Sequence, residues 1–213
     1  MKQIKQGILT VMTILILLTI ADFVLMTKSH NTKTAALFAK YDVMNRFAQK
    51  QIIKQTKNEI VDYSQFLDFN KPRTSTDYIF LHCTDTETAT LAAVANYHMF
   101  RKNWPSIAYH YLVMKDGKII RCLKPESEST HAKGFNFNSV SICFEGDFDV
   151  DTISQTQYNS GLRLLFALHT KYPNAEITTH AEHSKKTCPG LIFPDDKMEY
   201  QALNFHFLNL VKK

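Results

Sequence analysis

The chain opens on Lys2 and Lys5, and an almost unbroken apolar run from Gly7 to Met26 follows. A helix of about twenty residues, rising ~1.5 Å per residue, spans roughly 30 Å, the thickness of a bilayer core. Residues 1–27 therefore read as a membrane-directed segment. Asp22 keeps two versions of it open, because a carboxylate in a spanning helix costs roughly 2.5–3.5 kcal/mol at the centre and less toward an end. One version is an uncleaved transmembrane signal-anchor with the rest of the chain outside. The other is a signal peptide cut after Thr19-Ile20-Ala21. Both predict a membrane-anchored or exported protein working on the periplasmic or cell-wall side.

The rhythm changes after the apolar run. Lys33 to Asp62 contains neither Gly nor Pro, and Leu37, Tyr41, Met44, Ala48 and Ile52 recur at spacings of three and four. That periodicity predicts an amphipathic helix without sustained heptads. Residues 28–70 thus read as a basic helical stalk, with Asn70-Lys71-Pro72-Arg73 leading into a domain at 71–213. Within that domain, Tyr78–Cys83 is an apolar run of strand length. Glu87–Lys102 has no breaker and carries Leu91, Val94, Ala95 and His98 on one helical face. Tyr109–Val113 and Lys118–Cys122 are joined by Lys115-Asp116-Gly117, a hairpin signal. Ser139–Glu145 is a further strand. Ser154 and Gln157 form a capping box ahead of Leu162, Leu165, Phe166 and His169. Ala175–Thr179 predicts the last strand and Asp195–Val211 a closing helix. Strands alternating with helices, plus one hairpin, predict an α/β fold: a mixed central β-sheet flanked by helices, preceded by the N-terminal hydrophobic helix.

Composition narrows the picture. With 213 residues, 45% hydrophobic and 21% charged, the chain suits one folded domain plus an appendage. The net charge of +5 is unevenly placed, with 9 Lys+Arg against 5 Asp+Glu before Asn70, and 16 against 15 from there on. The folded part is nearly neutral, which argues against nucleic acid as a partner. The four cysteines contain no C-x-x-C pair and are too few for a disulfide scaffold. Cys83 and Cys143 sit in apolar runs and read as buried strand residues.

Candidate chemistry centres on the histidines. His180-Ala181-Glu182 has the H-x-E start of the zinc deaminases, but only one cysteine, Cys188, follows, so that ligand set is incomplete. An H-E-x-x-H motif is absent. His82 and His180 each end a predicted strand, and Cys188 lies eight residues past His180 across a polar turn. Two imidazoles and a thiolate suit Zn2+ and leave the open position a catalytic site needs. Spacing alone equally allows three unrelated strand-end residues.

Leu81-His82-Cys83-Thr84, Ala108-Tyr109-His110-Tyr111, His131-Ala132-Lys133-Gly134, Asn138-Ser139-Val140, and His180 followed by Lys186-Thr187-Cys188-Pro189 occur in this order. From about Arg73 onward the chain strongly resembles the type 2 N-acetylmuramoyl-L-alanine amidases, which include phage lysozyme-amidases and peptidoglycan recognition proteins. The resemblance implies zinc ligation by His82, His180 and Cys188, with His180 rather than His183 matching the ligand position. It implies catalytic roles for Tyr109 and Lys186, and substrate-groove positions for His131, Lys133 and Asn138. His98 and His110 read as structural or groove-lining. The implied reaction is hydrolysis of the amide between N-acetylmuramic acid and L-alanine in peptidoglycan, by a monomeric enzyme. A non-catalytic peptidoglycan sensor of the same fold is the alternative; such relatives typically lack the cysteine ligand, so Cys188 favours hydrolysis. A phage lysis enzyme and a bacterial envelope amidase are equally compatible.

Overall fold

The computed structural model describes Lys50, Lys54, Thr56 and residues 59–204, all within one compact unit of the chain. The predicted hydrophobic segment and most of the predicted stalk lie outside the described residues. Among the described residues no helix is long and apolar enough to cross a membrane.

Six strands form one mixed sheet: β1 (Ile60–Asp62), β2 (Tyr78–Cys83), β3 (Tyr111–Val113), β4 (Ile119–Arg121), β5 (Ser139–Phe144) and β6 (Glu176–Thr179). Their order across the sheet is β1-β4-β3-β5-β2-β6. Only β3 and β4 pair antiparallel, through the hairpin at Lys115-Asp116-Gly117; the other pairs are parallel. Gly117 takes φ +84°, the left-handed conformation that an Asp-Gly turn needs. The predicted mixed sheet flanked by helices is observed.

Alternation along each strand separates two cores. Ile79 and Leu81 of β2, Tyr111 and Val113 of β3, and Val140, Ile142 and Phe144 of β5 face α3 (Gln155–Lys171) and α4 (Asp195–Asn204). Leu112, Ile120 and Cys143 point the other way, against Leu67 of the short α1 (Ser64–Leu67) and Leu91, Val94 and Ala95 of α2 (Leu91–Asn96). Gly161 sets how closely α3 approaches, since a Cβ there would lie 2.2 Å from the Phe144 ring. The Ser154 hydroxyl caps α3 by accepting the Gln157 amide at 3.1 Å. The Gln157 side chain does not complete the predicted box. It donates instead to the carbonyls of Val113 and Glu145, at 2.9 and 2.8 Å, and ties the helix to the sheet.

Two boundaries differ from the sequence reading. The domain begins by Ile60, not residue 71: β1 pairs with β4, and Asp68 accepts the Lys124 amide at 2.8 Å. Three residues are too few for a period-two pattern to stand out from a helical one, so β1 merged with the stalk. The predicted helix from Glu87 starts instead at Leu91, where the Thr90 hydroxyl accepts the Ala93 amide. It then widens into a π-helical turn at Tyr97–Arg101 that packs His98 inward. The closing helix is described as far as Asn204.

Candidate metal centre and catalytic site

The carboxyl ends of β2 and β6 bring two imidazoles side by side. His82 is on β2, and His180 directly follows β6. The ladder runs one step past the strand, with the His180 amide donating to the Leu81 carbonyl at 3.3 Å. The two rings are 4.8 Å apart. A 3-10 turn at Ala181–His183 then reverses the chain, and the Ala181 amide donates to the Cys188 carbonyl at 2.7 Å. That bond returns Cys188 to the sheet edge, where Sγ lies 3.6 Å from His82 Nδ1 and accepts the Cys83 amide at 3.3 Å.

The donor atoms of His82, His180 and Cys188 all lie within 4.8 Å of one another, the one such group of three among the described residues. Tetrahedral zinc with ordinary bond lengths separates its donors by roughly 3.3–3.8 Å. The Sγ–Nδ1 distance already meets that spacing, and the widest separation needs up to about 1.5 Å of side-chain movement to meet it. The donor set and its geometry therefore fit the metal.

Protonation also fits. Burial pushes His82 well below its ordinary pKa, and the charges of His180 and Lys186 add to that. His180 is lowered by burial, then by Lys186 and His183. Both rings are thus neutral, the form that binds metal. Hydrogen bonding with the Cys83 thiol, together with burial, holds the Cys188 thiol above its ordinary value, so metal binding would displace its proton.

Tyr109 stands beside this group, its ring 5.2 Å from that of His82 and 5.4 Å from that of His98. Burial raises its phenol well above the usual value, so the hydroxyl keeps its proton. Lys186 is exposed, and its charge acts on both His82 and His180. These five residues converge. His183 turns away: it bonds Thr178 and packs on Phe135, with ring centroids 4.5 Å apart. Glu182 accepts both the amide and the hydroxyl of Thr179 at 2.8 Å, a structural role.

The three residues expected to line a groove part company. Lys133 is exposed. Asn138 immediately precedes β5, five residues before Cys143, the register partner of His82, and so roughly 16 Å away along the strand direction. Its Nδ2 donates to Asp77 at 3.0 Å, so it ties strand entries at the far end of the sheet from the metal group. His131 is 7% exposed and lies against His82 Nε2 at 2.9 Å, not on an open groove. His98 stacks on Trp104, and burial lowers it to about 4; His110 is enclosed by Ser141 and the Ser127 carbonyl and is lowered to about 3. Both are structural.

The sequence pattern of the N-acetylmuramoyl-L-alanine amidases matches residues 72–191. The chain belongs to this family. The match includes every member of the converged group, and the N-terminal apolar run lies before it. The chain is 32% identical over 128 residues to the endolysin of Escherichia phage T7, which covers 56% of this chain and 84% of that protein. It resembles the solved endolysin amidase LysCS from Clostridium intestinale URNW, with TM-score 0.62, 26% identity, and coverage of 68% of this chain and 95% of that one. The Apis mellifera PGRP-SA structure shares the fold, with TM-score 0.58, 20% identity, and coverage of 66% and 94%.

Sequence reasoning missed the polar row that supports the site. Ser139, Ser141 and Cys143 alternate along β5 with Val140, Ile142 and Phe144, and Ser139 and Ser141 meet His131 and His110. A strand with one small, polar face was visible as that alternation, and a buried face of that kind calls for internal partners.

Proposed function

We propose that the chain is a zinc-dependent N-acetylmuramoyl-L-alanine amidase that cleaves the lactyl–L-alanine amide of peptidoglycan. The observation carrying this reading is the convergence of His82 Nδ1, the His180 imidazole and Cys188 Sγ beside Tyr109. Zinc held by these three would supply Lewis acidity, making a water acidic near neutral pH and polarising the amide carbonyl. The Lys186 ammonium is suited to stabilise the oxyanion that develops as the carbonyl is attacked. The Tyr109 hydroxyl, protonated by burial, is suited to hold a hydrogen bond to the reacting oxygen. His82 and His180, kept neutral, present lone pairs and do not compete for the proton.

The N-terminal apolar run supports delivery of this domain across or onto a membrane, toward the polymer it would cut. The test of activity is incubation of the full-length chain, in detergent, with purified sacculi. New L-alanine amino termini should appear with zinc and vanish with chelator. Their absence under both conditions would refute the hydrolytic reading.

A further inference from the structure

The inward nitrogen of His82 begins a chain of hydrogen bonds whose direction can be read from its far end. The Ser139 hydroxyl donates to the Phe135 carbonyl at 2.6 Å. A carbonyl has no proton to give, so that hydroxyl proton is committed. Ser139 Oγ therefore accepts at its other contact, His131 Nε2 at 2.8 Å, and His131 carries its proton on Nε2. The hydrogen-bond partners of the His131 ring are a hydroxyl and an imidazole, and neither balances an imidazolium. A ring only 7% exposed is then neutral, with Nδ1 bare. His131 Nδ1 lies 2.9 Å from His82 Nε2 and must accept from it. His82 consequently carries its proton on Nε2 and leaves Nδ1 bare, and Nδ1 is the atom 3.6 Å from Cys188 Sγ. Phe80 packs against both rings, with centroids 5.9 Å from His82 and 5.0 Å from His131, and limits their rotation.

We propose that His131 is a positioning residue for the metal site, locking His82 in the tautomer whose Nδ1 faces Cys188 and His180. Rather than touching substrate, it acts through His82, and the Phe135 carbonyl fixes the polarity of the whole relay. This proposal rests on reading His82, His180 and Cys188 as zinc ligands. Metal-ligating histidines need such partners, and losing one typically weakens metal affinity 10–100-fold.

The test is zinc titration of the full chain against a chromophoric chelator. His131→Phe keeps a ring but offers no acceptor, and its zinc dissociation constant should rise about 10–100-fold. His131→Gln restores an acceptor oxygen and should recover most of the loss, which a merely space-filling role would not produce. Equal zinc affinity in the wild type and His131→Phe overturns the proposal. Failure of the wild type itself to bind zinc overturns the ligand reading instead. Should His131→Phe not fold, long-range 1H–15N spectra of the wild-type side chains decide the matter. Protons on Nε2 of both His82 and His131 support the relay, and a proton on Nδ1 of either overturns it.

Discussion

Gly190 couples the stability of the domain to the geometry of the His82–His180–Cys188 group, and replacing it with alanine should damage both. Its φ of +128° lies where L side chains are strained, at a cost on the order of 1–3 kcal/mol. An added Cβ would come within 2.3 Å of the Phe148 carbonyl carbon and 2.5 Å of its oxygen. These are backbone atoms and cannot rotate away, so overpacking adds typically about 1–3 kcal/mol. The loop could escape only by giving up the bonds that hold it. These are the Ile192 amide to the Phe148 carbonyl at 3.0 Å, the Leu191 amide to Asp149 at 2.9 Å, and the Thr187 hydroxyl to Asp149 at 2.7 Å. Cys188 is carried by the same loop, and its Sγ would move with it. At about 2–4 °C per kcal/mol for a chain of this size, a loss of at least ~2 kcal/mol lowers the melting temperature by about 4 °C or more. Calorimetry of the metal-free full chain reads the strain, and chelator competition reads the displacement of Cys188. A Gly190→Ala variant melting within about 1 °C of wild type and binding zinc equally well would refute the reasoning.

Cys188→Ser should lose tight zinc binding and sacculus hydrolysis while its metal-free stability stays within about 1 kcal/mol of wild type, since the side chain is only partly buried. Retained activity with zinc bound would show that the ligand set is wrong. Lys186→Ala should lower kcat by roughly 10²–10³ with a smaller effect on KM, as expected when a transition-state charge partner is removed. An unchanged kcat in the sacculus assay would remove Lys186 from the chemistry. Acid should destabilise the fold through its buried histidines. His98 is lowered to about 4 and His110 to about 3, so between these values and about 6.5 the unfolded chain binds more protons than the native one. Their contribution is complete above about pH 6.5 and is lost as pH falls toward about 4 for His98 and about 3 for His110, at up to about 1.4 kcal/mol per pH unit for each. Urea unfolding at pH 7 and pH 5 measures it, and equal midpoints would contradict the placement of these rings.

What could be read from the sequence depended on whether a signal was local. The Asp116-Gly117 hairpin, the Ser154 cap and the strands around His82 and before His180 each declare themselves within a few residues, and each is observed. The strand β1 did not, because three residues hold too little pattern and its pairing partner Ile119 lies 59 residues away. The metal group was legible only as a list of suitable donors, since the Ala181–Cys188 backbone bond that closes the loop has no sequence signature.

The same limit separates the ligands from their support. His82, His180 and Cys188 can be proposed from donor chemistry, because nitrogen and sulfur that bind zinc do so wherever they stand. His131 has no such intrinsic mark, and the family resemblance implied a groove position for it together with Lys133, which is exposed. Its hydrogen bonds come from two separate places, His82 near the end of β2 and Ser139 at the start of β5, and the Phe135 carbonyl in turn holds the Ser139 hydroxyl. Only the fold joins a serine at one end of a strand to a ligand at the carboxyl end of its neighbour. A residue that orients another is defined by the direction of its hydrogen bonds, and direction is a property of the assembled network. Here that network ends on a backbone carbonyl, which makes the tautomer of His82 a consequence of the fold.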